Sequence, residues 1–215
     1  MSYQTFGDLK RLARYLVGET GSEPRTMEWI STAINAAYAE FCSEYPWSFR
    51  QRITTVTYPA RASSLSISSY GVIQGVFRVG GGFLDWMPPL VLTARKERTT
   101  GYGTPRAWSV YSTDLYLFPT PGSDTNLKLY HLIDVDPLVN DSDEPIIPLA
   151  FRPYLAYGAL AIMTATENFE NPSAARMYRD IYEKGVRLAK MQEPGGALYK
   201  AHQDMPGWPT SGAVY

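Results

Sequence analysis

The sequence is poor in the residues that most protein chemistry requires. Its 215 residues include one cysteine, Cys42, and two histidines, His131 and His202. A single cysteine excludes an internal disulfide framework and suits a reducing compartment. Neither histidine has a second His, Cys or Glu nearby at metal-binding spacing, and no Walker, GxSxG, HExxH or CxxC motif occurs. The sequence therefore predicts no enzyme, no metal site and no cofactor.

Long apolar runs and an excess of one charge are also missing. No stretch of about eighteen apolar residues is present, and the N-terminus lacks the apolar core of a signal peptide. We therefore expect no membrane segment and no export signal. Twenty basic side chains are balanced by twenty-one acidic ones, which argues against a protein whose main task is to grip nucleic acid.

Aromatic residues, by contrast, are abundant. Sixteen tyrosines and five tryptophans are a heavy load for a chain of this length. Aromatic side chains fill cores, but Tyr and Trp are also favoured at protein–protein interfaces because one end is apolar and the other can hydrogen-bond. Composition leaves both interpretations open.

Apolar residues at three- and four-residue spacing predict four helices, two near each end of the chain: residues 5–18, 26–45, 148–168 and 172–191. Thr5 and Thr26 are the expected N-caps of the first two helices, and Pro148 is expected in the first turn of the third. Glu183 and Arg187 are placed for an ion pair within the fourth helix.

The middle of the chain has the composition of short strands. β-Branched and aromatic segments alternate with Gly/Pro turn signals, which predicts strands at residues 50–60, 64–68, 70–79, 83–92, 106–111, 113–118 and 126–134. The glycines at 80–82 are expected in a hairpin turn and the prolines at 88–89 in a second turn. The fold class is therefore α+β, with a small antiparallel sheet or sandwich between helical ends.

Three segments carry candidate interaction residues. The carboxylates between Asp134 and Glu144 lack the glycine and terminal Glu of a calcium loop and are interpreted as solvated loop acids that favour the helix after them. Arg95, Lys96 and Arg98 form a basic cluster that is either a solvated face or a contact for a phosphate backbone. Residues 193–215 lack periodicity, and their apolar residues are candidate anchors for a partner: Leu198, Tyr199, Trp208 and Tyr215.

The order of these pieces resembles a known family. Two N-terminal helices end in TyrProTrpSerPhe at 45–49 and are followed by the β-rich block. A pattern of prolines, Tyr and leucines then precedes the loop AspGluProIleIlePro at 143–148; its positions are Pro105, Tyr111, Leu115, Leu117, Pro119 and Pro121. This arrangement, over roughly residues 5–190, resembles the head–tail adaptor proteins of tailed bacteriophages, including the tail tubular protein A-like connectors.

The resemblance implies a four-helix bundle formed from both chain ends, with an inserted antiparallel β-rich domain and an extended C-terminal tail. The corresponding domains are residues 1–49 and 147–192 for the bundle, 50–146 for the insertion and 193–215 for the tail. It also implies a ring of identical subunits, a dodecamer, between the portal of the capsid and a tail or nozzle protein.

In such a virion protein, made in the host cytoplasm, the ring extends the channel through which genomic DNA passes without sequence specificity. Residues 193–215 are then the segment that binds the portal. The competing interpretation is a monomeric cytosolic module whose β face binds nucleic acid or a small ligand, with Arg95, Lys96 and Arg98 as contacts.

Overall fold

The computed structural model describes residues 3–17, 24–99, 101–165 and 172–193, and it is α+β. The helices in these residues are α1 (Phe6–Val17), α2 (Pro24–Ser43), α3 (Pro89–Arg98), α4 (Arg152–Thr164) and α5 (Pro172–Gln192). The strands are β1 (Gln51–Tyr58), β2 (Leu65–Ser66), β3 (Val72–Arg78), β4 (Asp85–Trp86), β5 (Ala107–Tyr111), β6 (Asp114–Phe118) and β7 (Thr125–Leu132).

The described residues form two compact units. One, here called the helical unit, comprises the described residues up to Phe49 and from Val135 to Glu193, and it contains α1, α2, α4 and α5. The other, here called the β unit, is Arg50–Asp134 and contains all seven strands together with α3. Each unit has its own hydrophobic core.

Helix α1 begins where the sequence predicts, and its first turn shows why. The Thr5 hydroxyl accepts a hydrogen bond from the Asp8 amide at 3.3 Å, and the Asp8 carboxylate accepts one from the Thr5 amide at 3.2 Å. This reciprocal arrangement is a capping box, with Asp in place of the usual Glu. The next unpaired amides of the helix donate to the loop before α4: Phe6 to the Asp143 carbonyl and Gly7 to the Asp141 carbonyl.

The core of the helical unit lies around α4, which packs against α1, α2 and α5. Small residues on α4 allow this close packing. Gly158 is buried between α2 and α5, and a β-carbon added there would lie 2.9 Å from the Ala37 Cβ and 2.7 Å from the Tyr182 ring. Tyr182 cannot easily yield, since its ring is buried and its hydroxyl donates to the Ala37 carbonyl at 3.1 Å.

Replacing Gly158 with Ala is therefore expected to destabilise the protein. Overpacking typically costs about 1–3 kcal/mol, which outweighs a gain of about 1 kcal/mol in helix propensity. Chemical denaturation followed by circular dichroism measures the change. Gly82→Ala is the matched control, because nothing lies within 4 Å of a β-carbon at that position. A Gly158→Ala variant as stable as this control would contradict the packing described here.

All four predicted helices are confirmed, with some boundaries and contacts corrected. Helix α2 begins at Pro24, so Thr26 is not its N-cap. Helix α4 begins at Arg152, and its first-turn proline is Pro153 rather than Pro148. The Phe151 amide donates instead to the Pro148 carbonyl in a turn before the helix.

The ion pair predicted within α5 is also corrected, because Glu183 pairs with Arg179, one turn before it, at 3.2 Å. The Arg179 guanidinium also donates hydrogen bonds to both carboxylate oxygens of Glu40 on α2. Arg179 therefore links α5 to α2.

The β unit contains two sheets that share one core. The first has three strands in the order β1–β7–β3, and both pairs are antiparallel. The second has the order β2–β6–β5–β4, and its β4–β5 pair is parallel, so the prediction of purely antiparallel pairing is wrong there. The predicted strands at 106–111 and 113–118 are confirmed as β5 and β6, which form an antiparallel hairpin. The predicted glycine turn at 80–82 is confirmed too, and Gly80 there adopts a φ of 76°.

The predicted strand at residues 83–92 is wrong. Only Asp85–Trp86 is a strand, and the prolines interpreted as a turn lead into α3. Pro89 lies in the first turn of this helix, where a missing amide proton costs no hydrogen bond and the fixed φ suits the helix. Leu92 is the buried residue that attaches α3 to the β unit.

Candidate interaction surfaces

The predicted basic cluster lies in the last turns of α3, near the negative end of the helix dipole. The side chains of Arg95 and Arg98 are exposed on one side of the helix. At the other end of α3, the side chain of Leu90 is 85% exposed. Helix α3 therefore displays an apolar end and a basic end.

Lys96 does not join the two arginines. Its ammonium group donates to the Ser63 carbonyl at 2.9 Å and lies 5.3 Å from the centre of the Tyr116 ring. Burial disfavours the charged form and lowers the pKa of Lys96 below its usual value. The structure thus brings together two of the three predicted basic residues and uses the third to hold α3 against the sheet.

A second surface was not predicted from the sequence. The outer side of the three-stranded sheet carries a group of partly exposed apolar residues, here called the aromatic face: Ile53, Val72, Phe77, Phe83 and Tyr130. The Phe83 ring lies 5.3 Å from that of Phe77 and 5.4 Å from that of Tyr130. Ile53 stands directly opposite Tyr130 in the β1–β7 pair. Ile53 is 60% exposed and Phe83 56%, so this apolar group has no cover in the described part of the chain.

One cation lies on the same side of the sheet. Lys128 stands opposite Phe77 in one strand pair and opposite Thr55 in the other, and its side chain is exposed. Among the described residues, no carboxylate lies within ion-pair distance of Lys128. Farther along, the hydroxyl of Thr57 donates to the Asn126 side chain at 2.9 Å. The outer side of the sheet is therefore apolar at one end and polar at the other.

From Val135 onward the acidic segment before α4 is a loop of the helical unit, and three of its four carboxylates are engaged. Asp141 pairs with Lys10, and Glu144 pairs with Arg152 at 3.0 Å. The Asp143 carboxylate accepts hydrogen bonds from two backbone amides, which lower its pKa. The prediction that these acids favour the helix that follows is wrong, because no acid lies in the first turn of α4 and no side chain caps it. The backbone carbonyls of Asp141 and Asp143 instead accept from the first amides of α1.

Two further polar features lie in the β unit. His131 is buried in the β unit with its Nε2 atom 3.1 Å from the Thr54 hydroxyl, and burial together with the charge of Arg52 lowers its pKa. A polar cleft of about 500 Å³ is lined by Arg78 and Tyr102 among others. In the part of the chain that the structure describes, no group of three His, Cys, Asp or Glu is placed to hold a metal ion.

The candidate tail residues lie outside the described residues, as does His202: Leu198, Tyr199, Trp208 and Tyr215. Within the described helices, none is long and apolar enough to cross a membrane.

Sequence reasoning missed the aromatic face although one signal for it was present. Residues Asn126, Lys128 and Tyr130 alternate with the buried leucines of β7, as expected for a strand with one covered side. Alternation shows which residues share a side. It does not show that Ile53 and Phe83, from distant segments, complete an apolar surface there.

The model of the SU10 adaptor protein family matches residues 4–202, which is most of the chain. No curated protein matches it.

Proposed function

Because the chain belongs to the SU10 adaptor protein family, and is therefore a structural phage adaptor of the virion, we propose that it forms a ring between the capsid portal and the tail. The ring extends the DNA channel for packaging retention and ejection, as the sequence resemblance to head–tail connectors implies. The narrower likeness to tail tubular protein A-like connectors is part of this proposal. The family match over residues 4–202 is the observation that carries it.

One feature of the structure supports a ring of identical subunits. A closed ring requires each subunit to offer two different surfaces to its neighbours. The aromatic face is one apolar surface that the chain itself leaves open, since Phe83 and Ile53 remain more than half exposed. Solvent-facing apolar clusters of this kind mark protein–protein contacts. We further propose that α1, α2, α4 and α5 act as one bundle with the β unit as its insertion.

The proposed partners are the portal protein, a tail or nozzle protein, further copies of this chain and the genomic DNA. We propose that residues 194–215 bind the portal. The exposed arginines of α3, Arg95 and Arg98, are proposed to face DNA phosphates in the channel. Lys96 is left out of this role because its ammonium group is bonded to the Ser63 carbonyl. A balanced net charge suits a channel along which DNA must slide.

We expect purified protein mixed with the portal protein of the same phage to form closed rings stacked on the portal, visible by negative-stain electron microscopy. The protein alone, at the same subunit concentration, is the control for templating by the portal. Particles that stay monomeric in both samples would refute the adaptor ring. Monomers with salt-dependent DNA affinity, reduced by Arg95→Ala and Arg98→Ala, would favour a nucleic-acid-binding module instead.

A further inference from the structure

The aromatic face has the properties of one half of a protein contact. The Phe83 ring contacts those of Phe77 and Tyr130, yet Phe83 is 56% exposed. Lys128 adds a cation beside these apolar residues, and the described part of the chain supplies no acid to neutralise it. We therefore expect a complementary surface to combine an apolar side chain with a carboxylate.

The loop before α4 carries such a pair. Val139 is 72% exposed, and Asp136, three residues before it, is exposed too. Asp141, Asp143 and Glu144 of the same loop are already engaged with Lys10, backbone amides and Arg152. In the described part of the chain, the Asp136 carboxylate forms no ion pair and accepts no hydrogen bond, so it is free for an external cation.

This loop is held firmly, which favours binding. The Asn35 side chain donates to the Leu138 carbonyl at 2.9 Å and accepts from the Leu138 amide at 2.8 Å. The Asp143 carboxylate accepts from the amides of Val139 at 2.7 Å and Asn140 at 2.8 Å. The backbone on both sides of Val139 is therefore fixed before any partner arrives, and little conformational entropy remains to be lost on binding.

We propose that the Val139 loop of one copy docks on the aromatic face of a second copy, with Asp136 of the first facing Lys128 of the second. This contact rests on the proposed ring and names the two different surfaces that the ring joins. Val139 packs against the phenylalanine rings, and the ion pair sets the register of the two copies.

Charge reversal tests the contact in the full-length protein with the portal present. Lys128→Glu and Asp136→Lys should each reduce ring formation at least tenfold in sedimentation velocity, since each places like charges together. The double variant carries both reversals in every copy and should restore rings. Phe83→Ala should weaken rings without reversing any charge. Lys184→Glu, an exposed lysine on α5, is the matched control and should leave ring formation unchanged.

Each other outcome rejects the contact. Rings that persist in Lys128→Glu reject this contact while leaving the adaptor ring intact. Loss of rings without rescue in the double variant shows that the two residues do not face each other. Intact rings with lost portal or tail binding assign the aromatic face to another protein. Absence of rings in the unmodified protein rejects the proposed function and this contact together.

Discussion

Replacing Trp47 with Ala is expected to lower the free energy of unfolding of the helical unit by about 3–5 kcal/mol, the usual loss for a large buried aromatic. Trp47 is 1% exposed. Its ring stacks on Phe41 at 5.1 Å and on Phe49 at 5.6 Å, and it meets the edge of Tyr45 at 5.2 Å. Truncation removes this contact area and leaves a cavity that the packed helices cannot fully close.

A second contribution comes from a hydrogen bond at the end of α2. The last carbonyl groups of a helix have no partner within it. The Trp47 indole nitrogen donates to one of them, the Phe41 carbonyl, at 2.8 Å, in a buried position. Trp47→Phe keeps an aromatic ring but leaves this carbonyl unsatisfied, so a smaller loss of about 1–3 kcal/mol is expected.

Urea denaturation followed by far-ultraviolet circular dichroism measures both variants, because this signal reports on the helices and does not depend on tryptophan fluorescence. Trp29→Ala is the control, since Trp29 is only half-buried at the edge of the same core. Equal losses in Trp47→Ala and Trp29→Ala would mean that the segment after α2 does not anchor the helical unit.

The helices were predictable because their signals are local. In α1, the spacing that suggested a helix is also the spacing of the buried residues Leu9 and Ala13, and Thr5 caps it as expected. Helix α3 was missed because it lacks that signal. Among its residues only Leu92 is buried, and the prolines before it resemble a turn. The position of α3 is set by its packing on the β unit and not by a periodic pattern of apolar residues in its own sequence.

The basic residues of α3 separate into two groups because this segment is a helix, which was not predicted from the sequence. Neighbouring residues on a helix point about 100° apart, whereas residues three positions apart share a side. Arg95 and Arg98 therefore lie together, and Lys96 turns toward Ser63 and Tyr116. If residues 89–98 had been predicted as a helix, the sequence would also have predicted that Lys96 points away from Arg95 and Arg98.

The aromatic face and the Val139 loop were beyond sequence reasoning for a different reason. Phe83 meets Tyr130 across 47 positions of sequence, and Asn35 holds Leu138 across 103. Such contacts depend on strand register and on how a loop closes over a helix, neither of which leaves a local pattern. The composition indicated an unusually large number of aromatic residues, but it did not indicate which of them lie together on the surface.

Removing residues 194–215 is expected to leave the melting temperature nearly unchanged and to abolish portal binding. The cut falls after Glu193, because the Glu193 side chain accepts a hydrogen bond from the Ser48 amide at 3.1 Å and belongs with the helical unit. The last residue of the described core before this point is Ala189 on α5. The removed segment carries the four anchors named above, and short apolar anchors in an aperiodic segment are typical of partner-binding tails.

A second, shorter truncation separates two parts of this segment. The family match ends at residue 202, so it includes Leu198 and Tyr199 but neither Trp208 nor Tyr215. If all four residues anchor the chain, removal of 203–215 should weaken portal binding by at least tenfold, and removal of 194–215 should eliminate it. Differential scanning fluorimetry and pull-down with immobilised portal measure the two effects. A large fall in melting temperature after the longer cut would place these residues in the core of the protein, and unchanged binding after both cuts would assign portal docking to another surface.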